Sequence, residues 1–133
     1  MQKKYKPLIF LAILIVIAIA IFFIAKINPN QGAILKDGTI LKDSYFTDKV
    51  IIIHSISCSH CRVVIPILRQ IEQENNKTFI YYDISIESEY KEVTNILTTR
   101  GLALEGVPTV IIYGKVYVGE KTKAQYLEAI LNH

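Results

Sequence analysis

The sequence predicts a mixed α/β domain, one half a parallel β-α-β arrangement and the other an antiparallel hairpin, preceded by one transmembrane helix. Three observations predict it. The β-branched run Ile51-Ile52-Ile53 passes directly into apolar residues at helical spacing, Val64, Ile65, Leu68 and Ile71, which reads as a buried strand feeding a helix. Further on, Val110-Ile111-Ile112-Tyr113 and Val116-Tyr117-Val118 flank Gly114-Lys115, a two-residue hairpin signal. At the other end, Lys3, Lys4 and Lys6 precede an unbroken apolar run from Pro7 to Ala25.

That apolar run comes first in the chain. Its 19 residues, at about 1.5 Å each, would span about 28 Å, close to the ~30 Å hydrocarbon thickness. A cleaved signal peptide would carry a shorter apolar region followed by a small-residue site. The only A-x-A is Ala18-Ile19-Ala20, in mid-run with Ile21-Phe22-Phe23 behind it, so the segment reads as a retained anchor. No cysteine lies near its end, which excludes lipid attachment of the lipoprotein type. The three lysines favour a cytoplasmic N-terminus, and the long domain that follows translocates largely regardless of Lys26, Lys36 and Lys42. The expected organisation is a cytoplasmic N-terminus at 1–6, an anchor at 7–27, a linker at 28–38 and an extracytoplasmic domain at 39–133. Localisation is then the cell membrane, single-pass.

The remaining elements follow in order. Asn28-Pro29-Asn30-Gln31-Gly32 is polar and turn-rich, the start of the linker. Asp37-Gly38 signals a turn before Thr39-Ile40-Leu41, a possible short strand, and Asp43 to Lys49 suggests a helical turn through Tyr45 and Phe46. After the central strand and its helix, Asn75-Asn76 breaks the pattern. Thr78-Phe79-Ile80-Tyr81-Tyr82 is a second β-type run ending at Asp83. Glu87 to Arg100 is helical in composition, with Tyr90, Val93, Ile96 and Leu97 on one side, and Glu87, Glu89 and Glu92 form a solvated face. The hairpin comes next, and Thr122-Lys123-Ala124-Gln125 is a capping box opening a last helix to about Leu131. Strand–helix–strand units imply parallel pairing with right-handed crossovers, and the hairpin adds an antiparallel edge.

Composition narrows the chemistry. Half of the 133 residues are apolar, enough for one core, and the net charge of +3 arises from the N-terminal lysines. From position 27 onward there are 11 basic and 12 acidic residues, a balance that gives no sign of nucleic acid binding. Both cysteines of the chain, Cys58 and Cys61, lie in one C-x-x-C motif, so no pair remains for a structural disulfide. They sit where a strand becomes the first turn of a helix. Free N–H groups and the positive end of the helix dipole stabilise an anion there. A cysteine so placed can fall to a pKa of about 3.5–7.5, and the thiolate is the nucleophile. A two-residue spacer lets the second thiol close a ring with the first, giving a dithiol–disulfide switch. A zinc site from Cys58, Cys61, His54 and His60 can be drawn. Structural zinc, however, takes its ligands from two separated clusters, and the sequence is read without metal or organic cofactor. His54 reads as a packing residue, as do Tyr81, Tyr82, Tyr113 and Tyr117.

Over about residues 39–133 the sequence resembles the thioredoxin family. Four features carry the resemblance: the C-x-x-C after a central strand, Pro66 five residues past Cys61, Gly106-Val107-Pro108-Thr109 before a strand, and Gly119 after the hairpin. The resemblance implies the thioredoxin fold. It implies that Cys58 attacks and Cys61 resolves, with Val107 and Pro108 as a substrate-docking loop. Pro108 occupies the family's cis-proline position, and an X–Pro bond is the one peptide bond cheaply held in cis.

Departures from the family are informative. Ile52 stands where many members bury a carboxylate, so proton handling for Cys61 must rely on water or another group. Ser57 replaces the usual tryptophan. Ser59-His60 lies between the cysteines, and a histidine there resembles DsbA-type disulfide oxidases, as does the valine before Pro108. His60 is expected to tune the site by stabilising the Cys58 thiolate, which raises the reduction potential. The expectation is thiol–disulfide exchange on cysteine-containing extracytoplasmic proteins or peptides, oxidase favoured over reductase, with a redox partner to recycle the pair. A second expectation belongs to another class. Membrane-anchored thioredoxin-like proteins of this size also resemble bacteriocin transport accessory proteins, in which the domain would act mainly as a docking or export-assisting module.

Overall fold

The computed structural model describes residues 6–26 and 32–133, which fall into two compact units. Residues 1–5 of the expected N-terminal tail and 28–31 of the expected linker lie outside the described residues.

In the first unit, Lys6–Lys26 form helix α1. Its sequence is apolar on every side, so no stripe distinguishes a core face from a solvent face. The expected anchor at 7–27 is met as a helix over 7–26, Ile27 lying outside the described residues; among the described residues no helix is long and apolar enough to cross a membrane.

The second unit, Gly32–His133, is built on a four-stranded mixed sheet of order β3-β2-β5-β6. Its strands are β2 (Val50–His54), β3 (Ile80–Asp83), β5 (Thr109–Ile112) and β6 (Lys115–Val118). β2 pairs parallel with β3 and antiparallel with β5, and β5 pairs antiparallel with β6. The predicted class, parallel half and antiparallel half, is therefore present. β2 reads as an unbroken apolar run because both its faces are covered. Ile51 and Ile53 pack with Phe46, Tyr82, Val93 and Leu97 on one side. Val50 and Ile52 pack with Val64, Leu68, Ile71, Tyr126 and Ile130 on the other. Those partners place α2 (Ser44–Thr47) and α4 (Glu87–Thr98) on the first face, and α3 (Ser59–Glu74) and α5 (Lys123–Leu131) on the second.

Local chemistry sets the helix starts. Asp43 caps α2, accepting from the Tyr45 N–H at 2.8 Å. The capping box of α5 is formed in both directions, Thr122 with the Gln125 N–H and Gln125 with the Thr122 N–H. Of the residues expected on one side of α4, Val93 and Leu97 are buried while Tyr90 is exposed.

Two strands were not expected. Ala33–Leu35 (β1) and Leu102–Leu104 (β4) pair in parallel as a separate two-stranded sheet, and Leu35 is fully buried. Residues 33–35 fall within the expected linker at 28–38. Three apolar residues give no usable period, so only the pairing makes them strands. Gly32 allows that pairing, since a Cβ there would lie 2.8 Å from the Leu102 carbonyl carbon. Conversely, the expected strand at 39–41 amounts to a single bridge from Ile40 to Lys115.

The hairpin turn is also displaced by one residue from the expected Gly114-Lys115. Ile112 pairs with Lys115, so the turn residues are Tyr113 (φ 47) and Gly114 (φ 87), the double positive φ of a two-residue turn that suits strand twist. Tyr113 is held in this unusual conformation by stacking on His133 at 4.2 Å and by donating its N–H to Lys49 O at 3.1 Å. Gly114 admits nothing larger, because a Cβ would meet the Leu41 carbonyl oxygen at 2.5 Å. Gly114→Ala should therefore destabilise the domain by roughly 1–3 kcal/mol, seen as a lower melting temperature, whereas Gly38→Ala, with open space around it, should cost less.

Candidate dithiol site

The site begins where β2 ends. Its last residue, His54, is followed by buried Ser55 and by a bend whose serine hydroxyls, Ser55 and Ser57, hydrogen-bond at 2.9 Å. The Cys58 N–H donates to the Ser55 carbonyl at 3.1 Å. This turn delivers Cys58 to the N-cap of α3 with extended backbone, φ −83 and ψ 121. Its side chain takes the capping role that serine or aspartate usually fills: Sγ accepts the Cys61 N–H at 3.2 Å. One orphan amide of the first turn is thus aimed at the sulfur that would carry negative charge.

The two sulfurs occupy different surroundings. Both cysteines are free thiols; Cys58 is half-buried, while Cys61 faces inward at 1% exposure. Burial pushes the Cys61 thiol up to about 12, and its hydrogen bond with Cys58 adds to the rise, against a backbone hydrogen bond from Ser55 that lowers it. Cys61 is therefore held neutral behind a sulfur that accepts hydrogen bonds.

A second segment closes on the pair. Val107–Pro108 is a cis peptide, and the Val107 carbonyl accepts from the Cys58 thiol at 3.6 Å. The loop is pinned on both sides. Thr109 donates its hydroxyl to Gly106 O at 2.7 Å, and the Gly119 N–H donates to Pro108 O at 2.9 Å. The structure thus brings Cys58, Cys61, Val107 and Pro108 together.

His60 is placed differently from expectation. Its ring was expected at the Cys58 sulfur. Instead Nδ1 lies 3.0 Å from Glu120 Oε2, with the histidine side chain 68% exposed. Glu120 directly follows Gly119, so the ring links the start of α3 to the segment that braces the cis peptide. No sequence signal marked Glu120, which is 60 residues away. His54 was read as a packing residue. It is half-buried, with its ring edge toward Tyr81 at 6.2 Å, and it stands opposite Asp83 in the β2–β3 register.

Among the described residues, no group of three His, Cys, Asp or Glu side chains is placed to hold a metal ion. The arrangement is suited instead to thiol chemistry: an accessible sulfur with an amide donor, a second thiol one turn behind it, and a carbonyl fixed nearby. No protein-family model matches the chain, and no curated protein matches it.

The raised Cys61 thiol fixes a pH dependence. Because its folded value of about 12 lies above the ordinary 9.0, its stabilising effect is complete below pH 9.0 and is lost as pH rises toward the folded value. Denaturant titrations of the reduced protein across that range should show the midpoint falling faster for the native chain than for Cys61→Ala. Parallel slopes would mean that the thiol is not held neutral by burial.

Proposed function

We propose that this chain is a membrane-anchored protein of the thioredoxin type that exchanges thiols and disulfides with extracytoplasmic substrate proteins. One observation carries the reading: Cys58 caps α3 with its sulfur accepting the Cys61 N–H at 3.2 Å, while the Cys61 thiol is buried one turn behind it. An exposed nucleophile and a shielded resolver are what a two-step exchange requires. The Val107–Pro108 loop supports it, since the Val107 carbonyl beside Cys58 offers an extended substrate backbone a place to pair.

The chemistry balances on sulfur alone. In the reducing direction the Cys58 thiolate attacks one sulfur of a substrate disulfide, and the other sulfur leaves as a thiolate that takes up a proton. Cys61, after losing its proton, attacks Cys58 Sγ. The bond to the substrate breaks, and Cys58–Cys61 is left oxidised by two electrons. In the oxidising direction a substrate thiolate attacks Cys58 of the disulfide form, releasing Cys61, and the substrate's second thiol completes the step. We favour oxidation of substrates. An extracytoplasmic domain meets an oxidising compartment, and a histidine precedes the second cysteine. With the ring bonded to Glu120, any influence of His60 on Cys58 acts through space and not by a direct bond. Either direction leaves the pair spent, so a separate redox protein must recycle it.

The anchor rests on the 19 apolar residues from Pro7 to Ala25 behind Lys3, Lys4 and Lys6. Protease added to intact protoplasts should digest the domain; a fully protected domain, or one found wholly in the medium, would overturn this placement. For the chemistry, Cys61→Ala should accumulate mixed disulfides with substrate proteins through Cys58, visible as reducible bands absent from the Cys58→Ala, Cys61→Ala double variant. Adducts formed through Cys61 in a Cys58→Ala chain at comparable yield would reverse the roles.

A further inference from the structure

Thiol–disulfide exchange through Cys61 poses a proton problem. To attack Cys58, Cys61 must lose a proton, and to be released from a disulfide it must gain one. At 1% exposure bulk water does not reach it freely, and its neutral form is strongly favoured. Ile52, where a carboxylate might have served, is fully buried among Val64, Leu68 and Ile71. It accepts no proton.

An open hollow of about 310 Å³ lies on this side of the sheet. Cys61 and Pro66 border it from α3, and His54 and Asp83 border it from β2 and β3. Strand alternation explains why His54 is there. Val50 and Ile52 face α3, and His54 is the next residue on that face. The backbone fixes it further: Ile84 N–H donates to the His54 carbonyl at 2.8 Å, and His54 stands in register with Asp83. The hollow is large enough for several waters; its exposed lining is mostly apolar, so the imidazole and the carboxylate are what anchor such waters there.

We propose that His54, assisted by Asp83, carries the proton to and from the Cys61 thiol through water in this hollow. The inference rests on the thiol–disulfide reading above. The other titratable groups at the hollow are poorer carriers. Arg62 has no site to accept a proton. Asp83 already accepts from the Ser85 N–H at 2.9 Å and the Ser85 hydroxyl at 2.6 Å, and its carboxyl is held below the usual range by those bonds. It is a weak base. His54 lies between these extremes. Burial lowers its pKa, the carboxylates of Asp83 and Glu89 oppose that, and the Arg69 guanidinium adds to the lowering. The net direction is downward, so at neutral pH the imidazole is unprotonated and free to accept. Tyr81, the remaining titratable neighbour, is pushed up by burial and stays a neutral phenol.

In resolution of a mixed disulfide, the Cys61 S–H proton passes through water to the imidazole. The Cys61 sulfur uses the freed electron pair to form a bond to Cys58 Sγ, and the Cys58–substrate S–S bond breaks. The substrate leaves as a thiolate, and the imidazolium later returns its proton to solvent. In the opposite direction the imidazole first takes a proton from solvent and then, as imidazolium, donates it to Cys61 as that sulfur is released. Asp83 stabilises the imidazolium in both.

The test uses the reduced full-length chain in detergent and an excess of a dithiobis-nitrobenzoate disulfide. The first aryl thiolate is released by Cys58, in a phase that depends on reagent concentration. The second is released when Cys61 attacks the Cys58 mixed disulfide, in a phase that does not. His54→Gln should slow the second phase roughly a hundredfold near neutral pH, within the usual range for a lost proton-transfer group, and leave the first phase unchanged. The native second phase should inflect with pH below the ordinary histidine value of 6.5, the side to which burial moves His54. His54→Gln should abolish the inflection, Asp83→Asn should move it to lower pH, and added imidazole should restore part of the rate to His54→Gln. An unchanged second phase in His54→Gln overturns the proposal. So does a parallel loss of both phases without rescue by imidazole, or, should that variant not fold, an unmoved inflection in Asp83→Asn. A native chain that releases only one aryl thiolate overturns instead the thiol–disulfide reading on which the proposal stands.

Discussion

Burial of β2 on both faces is the constraint from which the rest of the second unit follows. A strand covered from both sides must carry apolar residues at every position, and Val50 to Ile53 do so with at most 2% exposure. Two layers of helix are then required, one supplied by α3 and α5 and the other by α2 and α4. Parallel pairing to β3 demands a crossover helix, and α3 is that helix. The end of β2 and the start of α3 are therefore forced to adjoin, and the cysteines occupy that junction.

The junction's electrostatics follow from the same geometry. The first turn of any helix leaves amides without partners, and here the Cys58 sulfur accepts one of them. The alternation of α3 sets the fate of the second thiol. Cys61, Val64, Leu68 and Ile71 form its buried stripe, so Cys61 is on the core side by the same spacing that packs the helix. Accessibility of one sulfur and neutrality of the other are thus two consequences of one helix register.

Around the pair, distant segments are tied together by polar contacts. The Val107 carbonyl approaches Cys58, Gly119 braces Pro108, and His60 meets Glu120. On the opposite flank His54 and Asp83 share a hollow with Cys61. The dithiol is bordered on one side by a carbonyl and an exposed histidine–carboxylate pair. On the other side lies a half-buried histidine whose pKa is lowered by burial. A chain in which Ile52 removes the nearest place for a buried acid still has an ionisable group beside its inner thiol.

What the sequence determined by itself is what local periodicity and local hydrogen bonding control. The continuous β-branched run of β2, the spacing of the α3 stripe, the Thr122–Gln125 capping box and the cysteine pair at a strand–helix junction were all legible, because each is settled within a few residues. Tertiary structure alone decided the rest. β1 and β4 are three residues each and become strands only by pairing across more than sixty positions. The hairpin turn moved to Tyr113-Gly114 because the Ile112–Lys115 register and the stacking on His133 outweigh the cost of a left-handed tyrosine. His60 turned to Glu120, and His54 came to border the hollow beside Cys61, because strand order and helix packing bring these residues together from separate parts of the chain. Pairings of that kind leave no period or spacing in a sequence, since their closeness is a property of the folded arrangement and not of any one segment.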